Sequence, residues 1–148
     1  MKMFMSRTDA KVDAKGRVFV PAAFRKELAG EMRLVARIDT SGHYLMVMSR
    51  EDWDRKIETL MANIDEWDPE EQDTLQQLVG EAEYLEIDAQ GRTLIPKRVA
   101  EKLNFGTEVS FVGMADKFAI WDKAQYDEVA SGRDPLYVRM KKLKRNNG

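Results

Sequence analysis

One stretch of this sequence occurs twice, 75 residues apart. Residues 12–21 read VDAKGRVFVP and residues 87–96 read IDAQGRTLIP. From Asp13 to Leu28, six of sixteen positions are identical in the second copy. A looser similarity follows, in which residues 45–49 resemble residues 118–122 at an offset of 73. Because an internal repeat of this length is one supersecondary unit used twice, any fold for this chain has to accommodate two copies of it.

Each copy predicts the same order of elements. A half-buried strand comes first, then a turn that begins at Asp13 or Asp88, whose side chain can bond the following backbone. Gly16 and Gly91 supply the positive φ that such a turn needs. A strand, a proline, a short helix and two more strands follow, and Gly30 and Gly106 are expected to end the two short helices.

Helices are expected to close each copy and to join the two. Capping boxes open them at Ser49 and Asp122, and a further helix begins at Asp68, with Leu75, Leu78 and Val79 expected to be buried. The predicted segments are 1–64 for the first repeat with its closing helix, 65–80 for a helical connector, 81–130 for the second repeat, and 131–148 for a basic tail.

A single repeat has roughly 45 residues of sheet and helix, too few to bury a core alone. The sequence therefore predicts an α+β fold with a mostly β core, in which the two halves pack together as a pseudo-dimer with connecting helices.

The formal net charge of −2 hides a strong asymmetry along the chain. Residues 1–50 carry a net charge of +5, residues 51–90 a net charge of −12, and residues 91–148 again +5. The acidic middle is typical of solvated helix faces, whereas the two basic flanks carry the repeated loops. This distribution favours a polyanionic partner for the flanks.

Arg17 and Arg92 follow the turn glycine at equivalent places. A single arginine beside a turn is ordinarily a solvated side chain, but the same loop retained twice indicates a chemical demand on the guanidinium. That planar group matches phosphate oxygens or the edge of guanine. Asp13 and Asp88 are interpreted as orienting the loop or its arginine. Burial of both guanidinium groups in internal ion pairs, or their location on unrelated surfaces, would contradict this hypothesis.

Further basic residues surround the loops. Arg7, Lys11 and Lys15 are expected to contribute attraction for DNA phosphates. The tail adds five positive charges within residues 139–145, which are as typical of a frayed terminus as of a DNA contact.

The doubled Asp-Ala-Lys/Gln-Gly-Arg motif, each copy followed by an apolar strand, a proline and a short helix, resembles the MraZ family over roughly residues 3–130. The resemblance implies two AbrB-like swapped-hairpin domains. It also implies a cytoplasmic, nucleoid-associated repressor of the division and cell-wall genes, which forms a ring-shaped homo-oligomer and binds short G-rich tandem repeats in its own promoter. The family's DNA-contacting arginines fall on Arg17 and Arg92, with Lys15 alongside. Gln90 departs from the lysine of the first copy, so the second loop is expected to contribute less charge.

Composition excludes several other classes. Because cysteine is absent, disulfide scaffolds, thiolate zinc sites and cysteine nucleophiles are ruled out. His43 is the only histidine. The sequence has no run of about 18 apolar residues, so it predicts no membrane span. The acidic residues near 65–73 lack the spacing of a calcium loop. The sequence therefore predicts no enzyme, no catalytic residues, no metal and no cofactor. The alternative function is an AbrB-like antitoxin or protein-interaction module.

Overall fold

The computed structural model describes residues 1–143; residues 144–148, the end of the predicted basic tail, lie outside the described part of the chain. Eight strands and six helices occur within residues 1–143. The strands are β1 (Arg7–Lys11), β2 (Arg17–Phe19), β3 (Arg33–Ile38), β4 (Leu45–Ser49), β5 (Glu83–Glu86), β6 (Arg92–Leu94), β7 (Glu108–Met114) and β8 (Lys117–Asp122). The helices are α1 (Ala22–Glu27), α2 (Arg50–Asn63), α3 (Pro69–Gly80), α4 (Lys97–Lys102), α5 (Lys123–Ser131) and α6 (Leu136–Leu143).

The two copies exchange their first strands. Six strands form one antiparallel sheet in the order β1-β7-β8-β4-β3-β5, while β2 and β6 form a separate two-stranded sheet. In the large sheet β1, from the first copy, pairs with β7 of the second copy, and β5, from the second copy, pairs with β3 of the first. This order is symmetric about the β8–β4 pair. The predicted α+β class, with a β core built as swapped hairpins in a pseudo-dimer, is confirmed.

One hydrophobic core serves both halves. Its centre is a cluster of phenylalanine rings with edge-to-face and tilted contacts, in which Phe118 lies 5.1 Å from Phe4 and 5.0 Å from Phe24, centroid to centroid. Phe111, from the second copy, lies 6.3 Å from Phe24. All four rings are buried. Since the first and second copies supply two rings each, neither copy retains this core without the other.

The closing helices begin as the sequence indicates. Ser49 Oγ accepts a hydrogen bond from the amide of Asp52 at 3.1 Å, and Asp122 accepts one from the amide of Gln125 at 3.1 Å. The second copy also ends in two helices, α5 and α6, which are shorter than α2 and α3. Residues 136–143 of the predicted tail are therefore helical. None of the helices within residues 1–143 combines the length and the apolar character needed to cross a membrane.

Two expectations about helices are wrong. The short helices α1 and α4 end before Ala29 and Asn104, which take the left-handed conformation with φ of 51° and 53°. Asn104, and not Gly106, therefore provides the left-handed residue that ends α4. In α3 no residue is buried, because the rest of the described chain covers this helix only in part. Leu75 and Leu78 are half-buried and Val79 is exposed.

Thr93 provides a test of core packing at the symmetry axis of the small sheet. It lies opposite Val18 in the β2–β6 pair, and both side chains are buried. The Thr93 hydroxyl has no hydrogen-bond partner within residues 1–143. Because an unpaired buried hydroxyl costs about 1–3 kcal/mol, Thr93→Val is expected to raise the free energy of unfolding by about 1 kcal/mol. The reciprocal Val18→Thr is expected to lower it. Urea unfolding at one fixed protein concentration measures both, and a destabilised Thr93→Val would contradict the assignment.

Candidate nucleic-acid interface

The two-stranded sheet of β2 and β6, called the ribbon from here on, displays both repeated arginines on one face. Its three antiparallel pairs are Arg17 with Leu94, Val18 with Thr93, and Phe19 with Arg92. Side chains alternate between the faces of a strand, so Val18 and Thr93 point into the core while the other four residues share the outer face. Phe19 and Leu94 are each 57% exposed there. The outer face is thus a short arginine–apolar surface.

The first loop, residues 13–17, is organised by Asp13. Its Oδ1 accepts hydrogen bonds from the amides of Lys15 at 2.9 Å and Arg17 at 2.8 Å. Its Oδ2 accepts one from Arg17 Nε at 2.8 Å. Gly16 closes the turn with φ of 86° and donates its amide to the Asp13 carbonyl at 3.0 Å. Both carboxylate oxygens of Asp13 therefore face its own loop.

The second loop, residues 88–92, repeats this geometry. Asp88 Oδ1 accepts from the amides of Gln90 and Arg92, both at 2.9 Å, and Oδ2 accepts from Arg92 Nε at 2.9 Å. Gly91 has φ of 89°. The two loops are therefore near copies in bonding as well as in sequence.

These hydrogen bonds favour the ionised form of both aspartates. The Arg17 amide, followed by the Arg17 side chain, lowers the pKa of Asp13, and the Arg92 amide and side chain lower the pKa of Asp88. A lowered carboxyl pKa means that the contribution to folding is present above the ordinary pKa of aspartate and is lost as the pH falls through the lowered value. Both loops are consequently held in the charged, bonded form at neutral pH.

Backbone hydrogen bonds tie each loop to the opposite copy. The Val20 amide donates to the Gly91 carbonyl at 3.0 Å, and the Ile95 amide donates to the Gly16 carbonyl at 2.9 Å. Arg17 and Arg92 are diagonal neighbours across the ribbon, a relation that places their Cα atoms about 7–8 Å apart. The spacing of the two backbone positions that carry the arginines is therefore set by the sheet rather than by a flexible linker.

Both arginines form ion pairs, but only within their own loops. Arg17 Nε lies 2.8 Å from Asp13 Oδ2 and Arg92 Nε lies 2.9 Å from Asp88 Oδ2, with the arginine side chains 31% and 21% exposed. Within residues 1–143 no hydrogen bond or ion pair engages the terminal Nη atoms of either arginine. Each aspartate therefore fixes the direction of its arginine, and the forked end of the guanidinium keeps its donors. The two groups also share a surface.

Among the surrounding basic residues, Lys15 lies exposed in the first loop and Lys11 lies exposed at the end of β1 that leads into it. The structure does not bring Arg7, one of the predicted DNA-binding residues, to the loops. Arg7 lies at the other end of β1, where its guanidinium pairs with Asp9 at 3.1 Å and Asp127 at 2.9 Å. Its Nε and Nη2 atoms bond to Asp9 and Ser110 of the sheet and to Asp127 of α5, so this guanidinium links α5 to the sheet.

Sequence reasoning overlooked two residues of this face. Phe19 and Leu94 belong to apolar runs and were natural core candidates, but the alternation of the ribbon exposes them. Within Val18, Phe19 and Val20 the structure buries the first and third side chains and exposes the second, a period of two that three successive apolar residues do not reveal in the sequence.

Comparison with known proteins places this geometry in a family. A family model described as "MraZ protein, putative antitoxin-like" matches residues 3–76 and 78–136. A protein of Bacteroides fragilis named "Transcriptional regulator MraZ" is 34% identical over 131 residues, which cover 87% of this chain and 83% of that protein. Proteins of the same name from Phocaeicola vulgatus and Coxiella burnetii are 35% and 34% identical over 127 residues, each covering 84% of this chain and 82% and 83% of their own lengths. With two matched segments spanning most of its length and the doubled loop in place, this chain belongs to the MraZ family.

Proposed function

We propose that this protein is a sequence-specific DNA-binding transcriptional regulator whose ribbon contacts the double helix. The observation that carries the proposal is the presence of Arg17 and Arg92 on one exposed face, each aligned through Nε and each with its Nη donors unengaged within residues 1–143. The names of the relatives, all transcriptional regulators, support the same class of function.

The shape of the ribbon supports contact with the major groove. That groove admits a two-stranded β-ribbon, and its guanine edges present the O6 and N7 acceptors that an arginine fork matches. The Cα separation of about 7–8 Å between the arginines is similar to roughly two base-pair steps of 3.4 Å. Phe19 and Leu94, between them on the same face, offer apolar contact to thymine methyl groups. Lys15 and Lys11 add attraction for phosphates.

Self-association would strengthen this small contact. Two arginines per subunit give weak binding, whereas several linked subunits on DNA repeats in phase bind together with much higher apparent affinity. The exposed apolar side chains outside the ribbon supply surface for such contacts, chiefly on α2, α3, the α2–α3 loop and α6. Those on these three helices and this loop are Met61, Trp67, Val79, Leu136, Tyr137, Met140 and Leu143. We propose a ring-shaped homo-oligomer that binds tandem promoter repeats about 10 bp apart.

Occupation of such repeats would block a promoter without any ligand, so the proposed activity is repression. The proposed targets are the division and cell-wall genes, including the promoter of the protein's own operon, and the proposed location is the cytoplasm, in association with the nucleoid. Each of these finer statements extends the family resemblance of the doubled loop.

Substitution of the loop arginines tests the DNA contact. Arg17→Ala is expected to abolish sequence-specific binding, and Arg92→Ala to weaken it at least in part. Each lost fork is worth about 1–3 kcal/mol, or roughly 5- to 150-fold in affinity per subunit. Gel-shift titration of DNA from upstream of the protein's own gene measures the loss. Arg17→Lys keeps the charge but not the fork, and is expected to retain binding to unrelated DNA while losing preference for the operator.

Arg33→Ala is the matched control. Arg33 is exposed, pairs with Glu86 at 3.4 Å and lies over the Tyr84 ring; it belongs to β3 of the large sheet, and to neither the ribbon nor the two loops. Its removal is expected to leave the gel shift unchanged. Unaltered binding in both Arg17→Ala and Arg92→Ala would refute the proposed interface, and purification with a stoichiometric protein partner would favour the antitoxin alternative.

Trp67 tests the proposed assembly. Its side chain is 84% exposed between α2 and α3, an unusual position for a large aromatic ring unless a second molecule covers it. Trp67→Ser is expected to lower the molar mass measured by light scattering on a sizing column, with an unchanged circular dichroism spectrum. Glu70→Ser, an exposed neighbour at the start of α3, is expected to keep the wild-type mass. Equal masses for wild type and Trp67→Ser would place the interface elsewhere.

A further inference from the structure

The two loops differ in one charge. Lys15 of the first loop corresponds to Gln90 of the second at the offset of 75. With one aspartate and one arginine in each, the first loop carries a net charge of +1 and the second a net charge of zero. Since attraction for DNA phosphates depends on local positive charge, the second loop taken alone is the weaker of the two.

A side chain from the other copy lies directly against that weaker loop. Arg25 of α1 donates from Nε to the Val20 carbonyl at 3.1 Å, and Val20 in turn donates its amide to the Gly91 carbonyl at 3.0 Å. The Arg25 guanidinium consequently packs on Gly91. A Cβ built on Gly91 would lie only 2.9 Å from Arg25 Cζ and 3.0 Å from Nη1.

The first loop has no equivalent of this contact. The residue that corresponds to Arg25 is Ala100, which has no charge and no reach. The nearest atom to a Cβ built on Gly16 is Leu94 Cδ1, at 3.5 Å. The first loop therefore contains a lysine, Lys15, and has Ala100 at the equivalent helix position. The second loop contains Gln90 instead and has Arg25 beside it.

The Arg25 guanidinium also forms no ion pair within residues 1–143. Arg25 is exposed, and although Glu31 and Asp88 line the same cleft, no carboxylate oxygen of the described residues lies within 4.0 Å of its guanidinium nitrogens. Other arginines of this chain that have structural roles, such as Arg7 and Arg50, are paired with carboxylates. A fixed, exposed and unpaired guanidinium beside the loop that lacks a lysine is suited to a phosphate contact.

We propose that Arg25 is a DNA-contacting residue of the second loop, where it supplies the phosphate contact that Lys15 supplies at the first. The inference rests on the proposed function, since it assumes that both loops face DNA. It assigns each loop one supporting cation, taken from its own turn in the first case and from the opposite copy in the second. Arg25 then contributes affinity, while Arg17 and Arg92 read sequence.

The salt dependence of binding tests this role. A lost phosphate contact flattens the plot of log K against log salt concentration by about 0.9 for each bound subunit. Arg25→Gln is expected to show this flattening while it keeps an amide donor for the Val20 carbonyl. Lys26→Ala removes the next positive charge on α1, which lies away from the loops and lines a surface groove with Glu27 and Asp52, and is expected to leave the slope unchanged.

Moving the charge gives the sharper result. In the Arg25→Gln background, Gln90→Lys is expected to restore the wild-type slope, because it gives the second loop the lysine of the first. Fluorescence-anisotropy titrations of a labelled duplex from upstream of the protein's own gene, at several salt concentrations, measure all four proteins. Thermal unfolding checks that each is folded.

The outcomes separate this inference from the proposed function. A wild-type slope in Arg25→Gln, or a flattened slope that Gln90→Lys does not restore, overturns the role of Arg25 even if Arg17→Ala abolishes binding. Normal binding by both Arg17→Ala and Arg92→Ala overturns the proposed function itself. A flattened slope in Arg25→Gln, its recovery with Gln90→Lys and no change in Lys26→Ala support the inference.

Discussion

Backbone hydrogen bonds between the two copies are the constraint on which the rest of this structure depends. β1 adds to β7 and β5 adds to β3, so each copy completes the sheet of the other. The same exchange aligns β2 with β6 and fixes the ribbon through the bonds from Val20 to Gly91 and from Ile95 to Gly16. Because paired strands have a defined spacing and register, the distance between Arg17 and Arg92 follows from this exchange. The two arginines proposed to contact DNA are thus positioned by the same strand pairing that closes the core.

Asp13 and Asp88 fix the orientation of the two arginine side chains. In each aspartate, one carboxylate oxygen accepts hydrogen bonds from two backbone amides, and the other accepts one from the Nε of the arginine in the same loop. Exposed ion pairs of this kind add little to stability. Their value lies in preorganisation, since a side chain already held in one orientation loses less conformational entropy when it binds. An aspartate so close to an arginine that is proposed to contact DNA is tolerable because its oxygens face its own loop.

The repeat made much of this predictable. Two copies of one pattern indicated the strands, the aspartate turns, the helix caps at Ser49 and Asp122, and a core shared by both halves. Sequence could not reveal that α3 lies half uncovered, because apolar spacing reports a face that needs a partner and not whether the same chain provides it. Nor could it separate Arg7 from the loop residues. Local charge is visible in a sequence, but Asp127, which engages Arg7, is 120 positions away and becomes a neighbour only through α5.

Because both copies lie in one chain, they can differ at equivalent positions. In a true dimer a substitution changes both halves at once, whereas here each half can change alone. Val18 faces Thr93 at the axis, Lys15 corresponds to Gln90, and Arg25 corresponds to Ala100. For the attraction of DNA, what matters in such a pair is the total positive charge around the two loops, because strand exchange brings side chains of one copy against the loop of the other. A charge lost from one loop can therefore be recovered from a helix of the opposite copy, without any change in the fold that holds both loops together.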